Sequence, residues 1–353
     1  DGLLSKMLDL KIPLRFIRYI RSFLSNRQTR VEINGKRSQR FVLKEGLPQG
    51  SSISPLLFII FINDIGVDLH PQTVASLFAD DTAIWMPGGG TDEEMEETKG
   101  LLQIEVDKIM KWADTWKMSI NVEKTSSLVI SSNTANLKWK PELVTEKGII
   151  KTVASYKFLG ITIDGGLRFI EHVKSLVRRC RRRVNILKCM AGKDWGNSLE
   201  VLRALYLQYV RSCLEYASSS FIPLISATTL KQLERVQNEA LRAIAGLYKT
   251  CPIDFLRLET NIEPLALRYQ KNDAILYDKY MRLPDTDSRK AMATAHFPSR
   301  LDTRFGWRNT VMDNVIDGIL SDETTPPTPP WRDLPNLSVE FLELDHRKDQ
   351  YRP

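Results

Sequence analysis

Apolar positions recur at helical spacing over residues 3–10 and 14–24, with Pro13 between them suited to the first turn of the second helix. From Arg27 to Leu43 the pattern changes to alternation around Asn34-Gly35, a dipeptide favoured in two-residue hairpin turns. A polar loop, Gly46–Pro55, then leads into a helix, with Pro55 near its start and Leu56, Phe58, Ile59, Phe61 and Ile62 expected inside. Residues 74–86 read as two short strands joined at Ala79-Asp80-Asp81, followed by a Gly88-Gly89-Gly90 loop. Acid-rich Thr91–Glu97 opens an amphipathic helix reaching about Trp116, the early acids suiting its N-terminal dipole. Strand-like runs return at Ser127–Ser131, Ile149–Val153 and Tyr156–Ile163. Beyond Phe169 the spacing is helical in at least four segments to about Arg282. Periodicity fades over 283–353, where Thr324–Pro330 reads as an extended linker or tail. The pattern predicts an α+β domain over 1–166, an all-helical domain over 167–282, and an irregular tail over 283–353.

Composition narrows the class. With 42% apolar and 26% charged residues in 353, the chain can bury a substantial core. Its longest apolar run, Leu56–Ile62, falls far short of the roughly 20 residues a membrane span needs, so no membrane partner is expected. Four cysteines (Cys180, Cys189, Cys213, Cys251), widely spaced and without a CxxC pair, argue against a disulfide scaffold or zinc finger and fit a reducing, intracellular setting. The net charge of +7 is uneven. Residues 11–44 hold ten basic side chains against one acid, Glu32, and residues 167–250 hold 15 against six. Either run alone is as well explained by a solvated face. Two such regions around a catalytic centre are what a nucleic-acid track needs, because phosphate neutralisation dominates such affinity.

The chemistry concentrates in Leu77-Phe78-Ala79-Asp80-Asp81-Thr82-Ala83-Ile84-Trp85. Adjacent carboxylates repel and resist burial, so an apolar strand pair must present them at an exposed turn. There their oxygens can hold hard cations such as Mg²⁺. A plain polar turn accounts for a bare Asp-Asp pair equally well. Upstream, Leu47-Pro48-Gln49-Gly50-Ser51-Ser52-Ile53-Ser54-Pro55-Leu56-Leu57-Phe58 is a stiffened loop opening an apolar helix. Gly50 permits close backbone approach to a ligand, and Gln49 and Ser51 offer hydrogen bonds. A helix start capped by Ser54 is the simpler explanation of the same residues.

The two strings, in this order and about thirty residues apart, resemble the reverse transcriptases of non-LTR, LINE-like retrotransposons, especially the jockey-type elements of arthropods. LPQGSSISPLLF is similar to that family's template- and nucleotide-contacting B motif, which implies such contacts for Pro48, Gln49, Gly50 and Ser51. FADD is similar to its catalytic C motif, with Phe78 in the usual tyrosine position and Asp80 and Asp81 as metal ligands. Trp112, Trp116 and Asn121–Ser126 resemble the D motif, implying a general-acid role for Lys124 toward pyrophosphate. Tyr156–Asp164 resembles the E motif, the primer grip, centred on Phe158, Leu159 and Gly160. Strand core is the plainer role for Phe158 and Leu159, as an ordinary surface position is for Lys124. The helical block falls where the family has its thumb, so Arg178, Arg179, Arg181, Arg182 and Arg183 are expected along a nucleic-acid backbone while Val173, Leu176, Val177 and Val184 pack inward. Arg15, Arg18, Arg27, Arg30, Lys36 and Arg37 are candidates beside the template.

The resemblance implies a right-hand polymerase palm made of antiparallel hairpins packed on helices, a helical thumb, two Mg²⁺ ions, an RNA template, a DNA primer and dNTPs. It implies action in the nucleus or cytoplasm and an upstream endonuclease module. The family's third aspartate, in motif A, would immediately precede Asp1, and the fingers would precede it too. Asp64 and Asp68 lack that motif's context and read as helix-end or loop residues. The expectation is therefore a partial palm whose 353 residues alone polymerise little or not at all. A non-catalytic RNA-binding remnant and a decayed element copy are the alternatives.

Overall fold

The structure, a computed structural model, describes residues 1–43, 45–192 and 196–294. These fall into two compact units, Asp1–Gly166 and the residues from Leu167 on. The expected tail beyond 294, with Thr324–Pro330, lies outside the described residues. No described helix is long and apolar enough to cross a membrane.

The first unit begins with α1 (Gly2–Asp9) and α2 (Leu14–Leu24). Lys11, at φ +56°, turns the chain between them, and Pro13 caps α2. An arm follows, made of β1 (Gln28–Thr29), β2 (Glu32–Ile33), β3 (Lys36–Arg37) and β4 (Phe41–Val42). β2 pairs with β3 across the Asn34-Gly35 turn, and β1 pairs with β4. Next come α3 (Ser54–Ile62), the hairpin β5 (Val74–Phe78) and β6 (Asp81–Trp85), and the long α4 (Asp92–Thr115). Thr91 and Glu94 form a reciprocal capping box at the head of α4, so its acid-rich start is fixed locally. Then come β7 (Ser126–Ser127), β8 (Leu143–Thr145), β9 (Gly148–Thr152), β10 (Ser155–Phe158) and β11 (Ile161–Asp164).

The strands make five small sheets rather than one, four of them two-stranded. Pairing is antiparallel except where β7 runs parallel to β9. The strand expected over Ser127–Ser131 shrinks to Ser126–Ser127, because the Ser131 N–H donates to Gly165 O rather than to a neighbouring ladder. The Gln103 side-chain amide takes the place of a strand at the edge of β8, donating to Val144 O (2.6 Å) and accepting from Val144 N (2.8 Å).

Leu3, Met7, Ile17, Ile20 and Leu57 form the core shared by α1, α2 and α3. α3 is apolar all round, so its sequence cannot say which face turns inward. Leu57 and Ile62 are buried, whereas Leu56 and Ile59, expected inside, are exposed. Ile53, not Ser54, occupies the capping position.

The second unit holds α5 (Ile170–Met190), α6 (Leu199–Leu205), a π-helical turn over Tyr206–Arg211, α7 (Ser212–Glu215), α8 (Ala227–Ala245), α9 (Ile253–Thr260), α10 (Leu265–Met281) and α11 (Ser288–Thr294). Val173, Leu176, Val177 and Val184 of α5 are buried as expected. The Tyr206 hydroxyl donates to Gln237 Oε1 (2.6 Å), Gln237 Nε2 donates to Glu263 O (2.8 Å), and Tyr269 Oη donates to Leu214 O (3.1 Å). These bonds satisfy the polar atoms buried among leucines. Cys180 and Cys213, far apart in sequence, meet as buried free thiols sharing a hydrogen bond. Within the region expected to be irregular, α11 forms because Asp287 accepts from the Arg289 N–H at its start (2.9 Å) while Ala293 packs against Tyr277.

Candidate active site

The β5–β6 ladder pairs Phe78 with Asp81, leaving Ala79 and Asp80 as a two-residue turn. Ala79 sits at φ +51°, a left-handed conformation that a side chain disfavours and that recurs where function demands it. Both Asp80 and Asp81 are exposed, and neither carboxylate has a hydrogen-bond or ion-pair partner among the described residues. The apolar flanks solve the burial problem as anticipated, by placing the acids at the tip. The hairpin is also open along its length. Phe78 is 63% exposed and Trp85 51%, and among the described residues no other strand pairs with either edge.

The Leu47–Ile53 loop is closed from within. The Ser54 hydroxyl donates to Pro48 O (2.7 Å), and the Ser54 N–H donates to Ser51 O (3.3 Å). Gly50, at φ +84°, takes a conformation suited to glycine, with open space where a Cβ would stand. Gln49 and Gly50 are exposed, whereas Pro48 and Ser51 are half-buried. No hydrogen bond or ion pair joins this loop to Asp80 or Asp81 among the described residues.

Lys124 lies in a turn that its own N–H closes by donating to the Asn121 Oδ1 (3.1 Å), and its ammonium is exposed. Its carbonyl accepts from the Tyr156 hydroxyl (3.2 Å), which ties this turn to the β10–β11 hairpin. Phe158 pairs with Ile161, so Leu159 and Gly160 are the turn, at φ +45° and +84°. Two positive angles in succession make the primed type of turn that suits strand twist, with leucine an unusual first residue.

On α5, Arg178, Arg179, Arg181 and Arg182 are exposed. Arg181 reaches Glu239 (3.4 Å), and Arg178, Arg181, Arg182 and Lys174 line a groove of about 470 Å³ closed by Gln232 of α8. Arg183 departs from expectation. Its guanidinium folds back to Tyr209 O (2.5 Å) and over the Tyr209 ring (4.6 Å), a contact that α5's own sequence does not reveal.

One cluster was not legible in the sequence. Lys6 is 5% exposed, and its ammonium contacts Asp64 Oδ1 (2.5 Å) and Phe61 O (2.6 Å). The Trp116, Trp112 and Phe61 rings surround it at 3.9, 4.5 and 4.7 Å. Trp112 Nε1 also donates to Asp64 (3.0 Å). Burial pulls the Lys6 ammonium below its ordinary pKa, and the Asp64 hydrogen bond and charge oppose that. Asp64, read as a plain helix-end residue, thus pins α1 to the ends of α3 and α4. The available signal was a lysine between Leu3 and Met7 on an otherwise apolar helical face.

Among the described residues no three His, Cys, Asp or Glu side chains gather where they could hold a metal ion. Asp80 and Asp81 therefore offer oxygen donors suited to a hard cation, but only two residues' worth.

Residues 1–163 match the family described as reverse transcriptase (RNA-dependent DNA polymerase). The chain is 28% identical over 259 residues to the probable RNA-directed DNA polymerase from transposon BS of Drosophila melanogaster, covering 71% of this chain and 27% of that protein. It is 27% identical over 252 residues to the RNA-directed DNA polymerase from mobile element jockey of the same fly, covering 69% and 26%. Against the retrovirus-related Pol polyprotein from type-1 retrotransposable element R1 2 of Nasonia vitripennis it is 28% identical over 223 residues, covering 57% and 53%. The chain thus spans about a quarter of the first two relatives and about half of the third.

Proposed function

We propose that the chain, whose residues 1–163 match the reverse transcriptase (RNA-dependent DNA polymerase) family, is the part of a non-LTR retrotransposon polymerase carrying two metal-binding carboxylates, the nucleotide-facing loop and a helical thumb. In this reading residues 1–166 contribute to the palm and 167–282 form the thumb. The observation that carries it is the tip of the β5–β6 hairpin, where a left-handed Ala79 and Asp80 make the turn and Asp81 follows, two carboxylates without a partner among the described residues.

Asp80 and Asp81 would hold Mg²⁺, which when bound stabilises the charge developing on the transferring phosphoryl group. In the intact enzyme the primer 3′-oxygen would form a bond to the dNTP α-phosphorus as the bond from that phosphorus to the pyrophosphate oxygen breaks, the 3′-hydroxyl proton passing to solvent water. Lys124 would protonate the leaving pyrophosphate, a role its exposed ammonium permits. Exposed Gln49 and the backbone at Gly50 would meet the nascent base pair, with Pro48 and Ser51 shaping the loop. The Phe158–Gly160 turn would seat the primer end, and Arg178, Arg181 and Arg182 would follow the backbone of the template–primer duplex.

Two carboxylates hold a metal pair poorly, and among the described residues the edges of β5–β6 have no partner strand. A further strand of the longer polypeptide, laid against one edge and bearing the third carboxylate, would supply both needs. The test is Mg²⁺-dependent primer extension on an RNA template. The 353-residue chain should match its Asp80→Asn variant at background, while Asp80→Asn in a polypeptide extended upstream should abolish robust activity. Incorporation by the 353-residue chain clearly above its Asp80→Asn variant would refute the two-carboxylate argument. Undiminished activity of Asp80→Asn in the extended polypeptide would refute the site.

A further inference from the structure

Two of the five arginines on α5 do not line its groove. Arg183 is held on Tyr209, inside the π-helical turn, by that residue's carbonyl and ring. Arg179 hydrogen-bonds the sulfur of Cys213. Both guanidiniums therefore lie beside a pair of free thiols, Cys180 of α5 and Cys213 of α7. Cys213 also follows directly on the π-helical turn, a rare helical form that recurs at functional sites.

Thiols sunk in an apolar core are ordinarily inert, because burial disfavours the thiolate. The surroundings of this pair act differently on its two members. Cys180 is 0% exposed and Cys213 8%, so solvent meets the pair from the Cys213 side. The Cys180 thiol donates to the Cys213 sulfur, and that bond, joined by the charges of Arg179 and Arg183, holds Cys213 below its ordinary pKa against the effect of burial. The same bond, with burial, pushes Cys180 up. One sulfur is thereby poised as the nucleophile, and the other stands beside it to resolve what forms.

We propose that Cys180 and Cys213 are a peroxide-oxidised site, a reversible disulfide that locks α5 to α7, with Arg179 favouring the reactive form of Cys213. The Cys213 thiolate attacks one oxygen of hydrogen peroxide. A sulfur–oxygen bond forms as the oxygen–oxygen bond breaks, and the departing hydroxide leaves as water with the proton Cys213 gave up. Cys180 then attacks the sulfenic sulfur. The sulfur–sulfur bond forms, the sulfur–oxygen bond breaks, and the second hydroxide leaves as water with the Cys180 proton. Two thiols lose two electrons and two protons, and the peroxide becomes two waters. A dithiol reductant reverses the change, as befits the transient disulfides of reducing compartments. The site depends on the second unit alone and stands apart from the polymerase reading, although α5 also carries Arg178, Arg181 and Arg182.

The test treats the reduced 353-residue chain with hydrogen peroxide, quenches with catalase, alkylates in denaturant and maps the peptides by mass spectrometry. The expected product is a Cys180–Cys213 cross-link, with Cys189 and Cys251 recovered as alkylated thiols. Closing a loop of about 30 residues should raise the melting temperature of the helical unit by roughly 10 °C, a gain that dithiothreitol removes. Cys180→Ser should stop at a sulfenic acid on Cys213, which dimedone traps. Arg179→Gln changes an exposed position and should slow cross-linking about three- to ten-fold at neutral pH without disturbing the fold. Oxidation of Cys189 or Cys251 with Cys180 and Cys213 left intact overturns the proposal. So does a cross-link that forms only in denaturant, one that brings no rise in melting temperature, or an unchanged rate in Arg179→Gln.

Discussion

Replacing Asp64 by asparagine removes the carboxylate that, among the described residues, pairs with the ammonium of Lys6, a side chain only 5% exposed, while keeping the shape of the site. A buried ion left without its partner typically costs 3–5 kcal/mol. Asp64 is itself 39% exposed, so water can partly replace it, and the loss should sit near the low end, about 3 kcal/mol. Lys6→Met deletes the charge but keeps most of the packing. It forfeits up to about 2 kcal/mol of attraction to the three rings and recovers the desolvation of the ammonium. Its net effect should stay within about 1 kcal/mol. The double variant should be more stable than Asp64→Asn alone, because no stranded cation remains. Urea unfolding followed by tryptophan emission reads this unit well, since Trp85, Trp112, Trp116 and Trp139 lie in it. There is a pH signature as well. Burial lowers the folded-state pKa of Lys6 beneath its unfolded value of 10.5, and without Asp64 it falls further. Between those two values the unfolded chain binds more protons, so Asp64→Asn should regain stability as pH rises toward 10.5. Equal damage from Lys6→Met and Asp64→Asn, or a double variant no better than Asp64→Asn, would refute the clamp.

Asp273 is 2% exposed with one oxygen unpartnered, and burial pushes its pKa up to about 6 against the pull of a Ser219 hydrogen bond. Its cost to the fold is absent below the unfolded value of 3.8, grows as pH rises toward 6, and then levels off near 3 kcal/mol. Asp273→Asn should therefore raise the unfolding midpoint at neutral pH and leave it nearly unchanged near pH 4; a lower midpoint at neutral pH would contradict this. Leu159→Asn places a residue tolerant of positive φ at +45° and should stabilise the β10–β11 hairpin by about 1 kcal/mol in thermal melts. In an active, extended polypeptide the same change should raise the KM for template–primer if Leu159 touches the primer. An unchanged KM would confine its role to the turn.

What the linear sequence determined is whatever depends on near neighbours. The Thr91–Glu94 box, the Asn34-Gly35 turn, the acids at the tip of an apolar hairpin and the inward valines of α5 all follow from patterns a few residues long. The order of the B, C, D and E segments, read as motifs, likewise pointed to the family over 1–163. Where patterning is silent the sequence was silent too. An all-apolar α3 has no periodic face, so only packing decides that Leu57 goes in while Leu56 and Ile59 stay out. Which cations remain available was also beyond it. Arg183 is spent on Tyr209, Arg27 on the base of the arm and Arg37 on Glu32, each through the identity of a partner that charge counting does not reveal. The Lys6–Asp64 contact spans 58 positions, and its stability depends on two tryptophans still farther along the chain. Local propensity acts over one or two helical turns, whereas desolvation and ion pairing act between whatever groups the fold makes adjacent, and only the tertiary structure sets that adjacency.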